Sequence, residues 1–287
     1  MTNKIKHRIS SKMLNGLVAP KFKKLRSMAV CLVLTVLSLT AIPAAAQTTG
    51  TLTIGTTVVV PDLTQDGSGT GWTWNAATST FTVATLANIN GQIAFEREGD
   101  MTFILNGNVT GNVVFVGVGG TNGGAGGNVN FTVSGLRSID GGIVCTRGRL
   151  TISGAGGGSR LSVTRTSGEA IYAQNGLTIG NIVVSATVAE GNATAVRVPS
   201  EGFTMASGSL NASGRLQGIS IGGDANISGT AAVTAVSRSN GGTSDDVAMF
   251  LSSGSLTIGG SATVTANGYS GTGIWCSRGI TINGGNV

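Results

Sequence analysis

The chain has 287 residues, with 18 Lys+Arg against 12 Asp+Glu, a formal net charge of +6, one histidine and three cysteines. The positive charge is local: residues 1–46 hold eight of the basic residues, every lysine and His7, and no acid. Residues 47–287 keep ten arginines against twelve acids, a net charge of −2, so the basic balance gives no argument for nucleic acid as a partner.

That distribution also limits chemistry. Residues 47–287 contain no imidazole and no amine side chain. Ser-His-Asp and Cys-His nucleophile systems, histidine metal ligands and Schiff-base lysines are thereby excluded from this part of the chain.

At the amino end, the basic stretch from Lys4 to Arg26 is followed by the apolar run AVCLVLTVLSLTAIP and by Ala44-Ala45-Ala46. Basic, apolar and small-residue regions in this order read as a signal peptide over residues 1–46. The run is short for a spanning helix. The expectation is a secreted or cell-surface protein with no membrane span after leader cleavage; an uncleaved anchor is the alternative.

Residues 47–100 read as an amino-terminal capping segment. Trp72-Thr73-Trp74, a turn, and Phe81-Thr82-Val83 look like a hairpin over the open end of a repeat array. Trp72 and Trp74 share one face at i, i+2. They are candidate ligand-stacking residues, with closure of an apolar column as the other reading.

From residue 101 a short unit recurs: apolar, Thr or Asn, apolar. It begins at Met101, Val129, Leu150, Leu177, Phe203, Ala225, Leu256 and Ile280, at spacings of 21 to 31 residues. Two further short strand-like strings fall in each interval, separated by Gly and Asn. This predicts an all-β fold: a right-handed parallel β-helix with three short strands per turn of about 20–30 residues. Eight rungs at strand spacing extend roughly 34 Å. The chain stops inside a new turn, at Ile282 to Val287. The expectation is a coil truncated at its carboxyl end.

Two stretches are twins: GIVCTRGRLTI, from Gly142, and GIWCSRGITI, from Gly273. Cys145 and Cys276 hold the same rung position, inward by alternation, five rungs apart. That is about 24 Å, beyond the roughly 7 Å Cα limit of a disulfide. Two buried unpaired thiols are expected.

Alternation also sorts the surface. On the first strand of each turn, Thr102, Asn130, Thr151, Thr178, Thr204, Asn226, Thr257 and Thr281 face out as a polar ladder. On the third strand the outward residues include Val144, Tyr172, Arg197, Ser220 and Trp275. Aromatic faces suit pyranose rings, and the arginine fork suits hydroxyls or carboxylates. Tyr172, Arg197 and Trp275 are therefore the candidate ligand-binding residues. Tyr172 and Trp275 lie four rungs apart, about 19 Å.

The carboxylates offer less. Asp245-Asp246 lies in the longest corner loop, and adjacent strand residues point apart. Glu96, Glu98 and Asp100 read as solvated charges, with Glu96 and Glu98 a conceivable weak calcium pair. The run from Gly117 to Val129 lacks the Lys-Ser/Thr ending of a phosphate loop and the repeated Asp of a calcium coil. It reads as a corner loop.

The stretch GSGTGWTWNAATSTFTV, Gly67 to Val83, resembles secreted bacterial carbohydrate-binding-domain-containing proteins with a polysaccharide-lyase-like fold. So do Ala170-Ile171-Tyr172-Ala173, Gly176-Leu177-Thr178-Ile179 and SGSLTIGGSATVTANG, Ser253 to Gly268. The resemblance implies a right-handed β-helix that binds acidic or plant-wall polysaccharide, or a host or cell-surface glycan, with calcium as a possible addition. The dense acidic corner loops that would hold calcium are missing here, so no cofactor is expected. Pectin-degrading hydrolases of that fold use an Asp trio with His and a basic residue, which Asp245-Asp246 echoes only superficially. A non-catalytic exported β-helix that binds polysaccharide or mediates surface adhesion is the first reading. A polysaccharide lyase-like enzyme and a structural spacer of a longer surface protein are the alternatives. Arg197 would be a poor lyase base because its guanidinium holds its proton.

Overall fold

The computed structural model describes residues 50–117, 127–238, 246–269 and 271–287. The leader, Asp245 and most of the Gly117–Val129 run lie outside the described residues.

Strict alternation of apolar and small polar residues builds strands that bury one face. Among the described residues there are 29 strands and no helix. The strands form three sheets, here A, B and C, of ten, eleven and eight strands. One turn of the chain visits all three. Leu150–Gly154 lies in sheet B, Arg160–Arg165 in sheet C and Ile171–Ala173 in sheet A. Leu177–Gly180 then returns to sheet B, parallel to Leu150–Gly154 and in register with it. The chain is a parallel β-solenoid with three strands per turn, and the eight strands of sheet C count about eight turns.

The core is a stack of inward columns. Phe81, Phe103 and Phe131 lie in register in sheet B, with ring centroids 5.2 and 4.6 Å apart. Phe95 and Phe115 stack in sheet A at 5.7 Å and meet the first column edge-on. Beyond Phe131 the columns become mostly aliphatic. In sheet C the inward residue shrinks from Ile139 and Val163 to Ala186, Ala212 and Ala235. Corners need tight backbone approach. Gly202 has φ 97°, and a Cβ there would stand 2.0 Å from the carbonyl oxygen of Asp224.

The parallel coil starts earlier than residue 101. Thr80–Val83 pairs antiparallel with Trp72–Asn75 on one edge and parallel with Met101–Leu105 on the other. A strand with two edges serves both the hairpin and the first rung, so its hairpin pattern hid its place in the coil. A second antiparallel pair, Thr51–Ile54 with Thr57–Val60, sits on the amino-terminal edge of sheet A against Ile93–Glu96.

Candidate functional site

The outward column of sheet A carries the candidate residues. Strand register places Val114, Val144, Tyr172, Arg197, Ser220, Phe250 and Trp275 in one line along the axis. Tyr172 and Arg197 are direct neighbours. Four rungs separate Tyr172 from Trp275, about 19 Å at strand spacing.

Phe250 joins this line, although its role was not read from the sequence. Its strand, Met249–Leu251, follows the long corner insertion, so the spacing rule skipped it. The usable signal was the short string Met249-Phe250-Leu251, which has the same alternation as Ile274-Trp275-Cys276. Phe250 and Trp275 stack with centroids 4.7 Å apart and planes 16° from parallel. Trp275 remains 43 % exposed, on the last described rung of sheet A.

The middle of the line is polar. Arg197 Nη1 lies 3.1 Å from Glu169 Oε1. One side of its fork is therefore taken, and the rest of the exposed guanidinium faces water. Such an exposed pair adds little stability, but it orients the guanidinium. The Tyr172 hydroxyl donates to Gln174 Oε1, and Gln174 Nε2 donates to Ser200 Oγ at 3.5 Å. The ring is thus held by Gln174, in the turn just past the end of its strand.

Trp72 and Trp74 belong elsewhere, which corrects their reading as ligand-stacking residues. Trp74 is 2 % exposed and its Nε1 donates to the Leu63 carbonyl at 3.2 Å. Trp72 is buried and stacks on Phe81 at 5.8 Å. Alternation turns both rings inward and leaves Thr73 outside. They cover the phenylalanine column and present no open face to a ligand.

The acidic candidates do not converge. Among the described residues no group of three or more His, Cys, Asp or Glu side chains could hold a metal ion. Asp100 accepts from the Asn128 amide at 2.6 Å. Asp246 is buried.

Both thiols are unpaired. Cys145 is fully buried, and its Sγ donates to the Arg147 carbonyl at 3.1 Å. Cys276 is only half-buried, because it lies on the last described rung of sheet A. That corrects the expectation that both are buried. Burial pushes the Cys145 thiol up from 9.0 to about 11. The unfolded chain gives up this proton more easily. The thiol therefore favours the fold below about pH 9, and that contribution is lost as pH rises toward 11. A thiol–disulfide reagent at about pH 8 should titrate Cys276 quickly and Cys145 only after denaturant is added. Fast reaction of Cys145 in folded protein would contradict this placement.

The arginines of the twin stretches also part company. Arg147 is fully buried, whereas Arg278 is exposed. Arg147 Nε donates to the Gly127 carbonyl at 3.1 Å, and its Nη1 and Nη2 donate to the carbonyls of Arg97 and Gly99. It ties three corner segments together and is structural.

No helix among the described residues is long and apolar enough to cross a membrane. Comparison of the chain with known protein families, with curated proteins and with solved structures gives no match.

Proposed function

We propose that the protein is an exported, non-catalytic β-helix that binds polysaccharide along the outward column of sheet A. The observation that carries this reading is the open Phe250–Trp275 stack, in line with Arg197 and Tyr172 on a rigid sheet. A flat aromatic pair takes the apolar face of a sugar ring. Three and four rungs from Trp275, the free side of the Arg197 fork and the Tyr172 ring take further residues of an extended chain. A sheet face holds these groups at fixed spacing without an ordering cost at binding. Residues 47–287 lack imidazole and amine groups, which favours retention over cleavage.

The test is retention on a panel of soluble and insoluble polysaccharides, with the supernatant assayed for unsaturated sugars. Retention without release is the expected result. Trp275→Ala should weaken it about fivefold, the worth of one aromatic stack of about 1 kcal/mol. Equal retention of wild type and Trp275→Ala would remove the sheet A column as the site. Released unsaturated sugars would make the protein a lyase.

A further inference from the structure

Arg197 is the one charged side chain in the outward line of sheet A. From Val144 to Trp275 its flanks are uncharged as well. Two residues after the line stand Thr146, Gln174, Pro199, Gly222, Ser252 and Ser277, and two residues before it every rung has glycine or alanine. Arg278 comes later, in the corner past Ser277. A single guanidinium therefore sets the electrostatics of this strip.

That guanidinium is compensated. Arg197 Nη1 lies 3.1 Å from Glu169 Oε1. Glu169 stands in the corner just before the strand Ile171–Ala173, one rung from Arg197. Its own backbone is held there, because Arg165 Nη1 donates to the Glu169 carbonyl at 2.8 Å. The carboxylate is thus placed against the fork by a second arginine that the line does not contain.

An exposed pair of this kind adds little stability. Its consequence is for ligands. A bare guanidinium in the middle of an uncharged strip would attract a polyanion. With Glu169 beside it the strip has no net charge. A polyuronate then gains nothing from Arg197, meets the Glu169 carboxylate and gives up hydration of its own carboxylates. A neutral chain meets no such opposition. Its hydroxyls accept from the free side of the fork, and its ring faces stack on the aromatic groups.

We propose that Glu169 is a specificity-determining residue, which makes the sheet A column select neutral polysaccharide over polyuronate. This inference rests on the reading of that column as a polysaccharide site. It departs from the acidic polysaccharide that the family resemblance implies.

The test uses residues 48–287, so that the basic leader does not bind polyanions itself. This compact unit holds every described strand and the whole buried core. Retention is measured by affinity electrophoresis on mixed-linkage β-glucan and galactomannan, which are neutral, and on polygalacturonate and alginate. Each is run at about 0.01 M and about 1 M salt, where screening lengths are about 30 Å and about 3 Å. Wild type should be retained by a neutral polymer at both salts and by neither polyanion. Glu169→Gln keeps the size of the side chain and an acceptor for Arg197, and adds one positive charge to the strip. It should gain polygalacturonate retention by about tenfold at low salt and lose that gain at high salt, with neutral retention changed by less than about twofold. Adding Arg197→Gln should remove the gain, since the unpaired guanidinium is its source. Polyanion preference in wild type, no gain in Glu169→Gln, or a gain that survives Arg197→Gln would overturn the proposal and leave the column a polysaccharide site. No retention of any polymer by any variant would overturn both.

Discussion

Phe103→Ala is expected to lower the unfolding free energy by about 4 kcal/mol and Tm by roughly 10 °C. The ring is fully buried and touches four others: Phe81 at 5.2 Å, Phe95 at 6.2 Å, Phe115 at 5.8 Å and Phe131 at 4.6 Å. Truncation removes its burial and its edge and face contacts together. The vacancy cannot close. Backbone pairing fixes neighbouring rungs at strand spacing, so the walls of the cavity are held apart. Phe250→Ala, on the outer face, should cost less than about 1 kcal/mol, which separates packing from loss of an aromatic as such. Denaturant unfolding followed by tryptophan fluorescence measures both, since Trp72 stacks on Phe81 beside the site. A loss below about 1 kcal/mol for Phe103→Ala would mean that the column is not close-packed.

The second large effect is expected at Arg147. Arg147→Met should cost about 3–4 kcal/mol, although methionine fills much of the same volume. The loss lies in the acceptors. The carbonyls of Arg97, Gly99 and Gly127 would each lose a charged donor inside a corner that holds it fully buried. Burial pulls the guanidinium below its ordinary value, while Asp100 and Glu98 nearby favour its charged form. Arg278→Met in the twin stretch is the control. That side chain is exposed, and its replacement should change stability by less than about 0.5 kcal/mol. Thermal unfolding of the two variants side by side checks this, and equal shifts would refute the distinction.

The solenoid was readable because its rule is simple and repeated. An apolar–Thr/Asn–apolar string has one inward answer, and stacking repeats that answer at every rung; the ladder from Thr102 to Thr281 follows in register. Tyr172, Arg197 and Trp275 were legible for the same reason. Phe250 was not, because an insertion before it shifts the spacing while leaving the register intact. Trp72 and Trp74 left stacking on a ligand and closure of the column both open, because i, i+2 spacing says that two rings share a face, not which face. Arg147 and Arg278 show a different limit. Identical local strings cannot report that one corner is enclosed by other corner segments and the other is open. Arg137 was invisible, since only the register of Ile139 shows that a charged residue stands in an aliphatic column.

The hydrogen bonds between rungs all run along the axis of the coil, because every turn pairs with the one above and the one below. Tension applied along that axis therefore loads successive rungs in series. Each interface between turns carries the whole force, and the weakest one opens first. A pull across the axis instead spreads over many rungs in parallel. The protein should consequently resist sideways drag strongly and lengthen under axial drag by peeling one turn at a time. A ligand lying along the outward column of sheet A, touching several rungs at once, would act as a splint against that peeling.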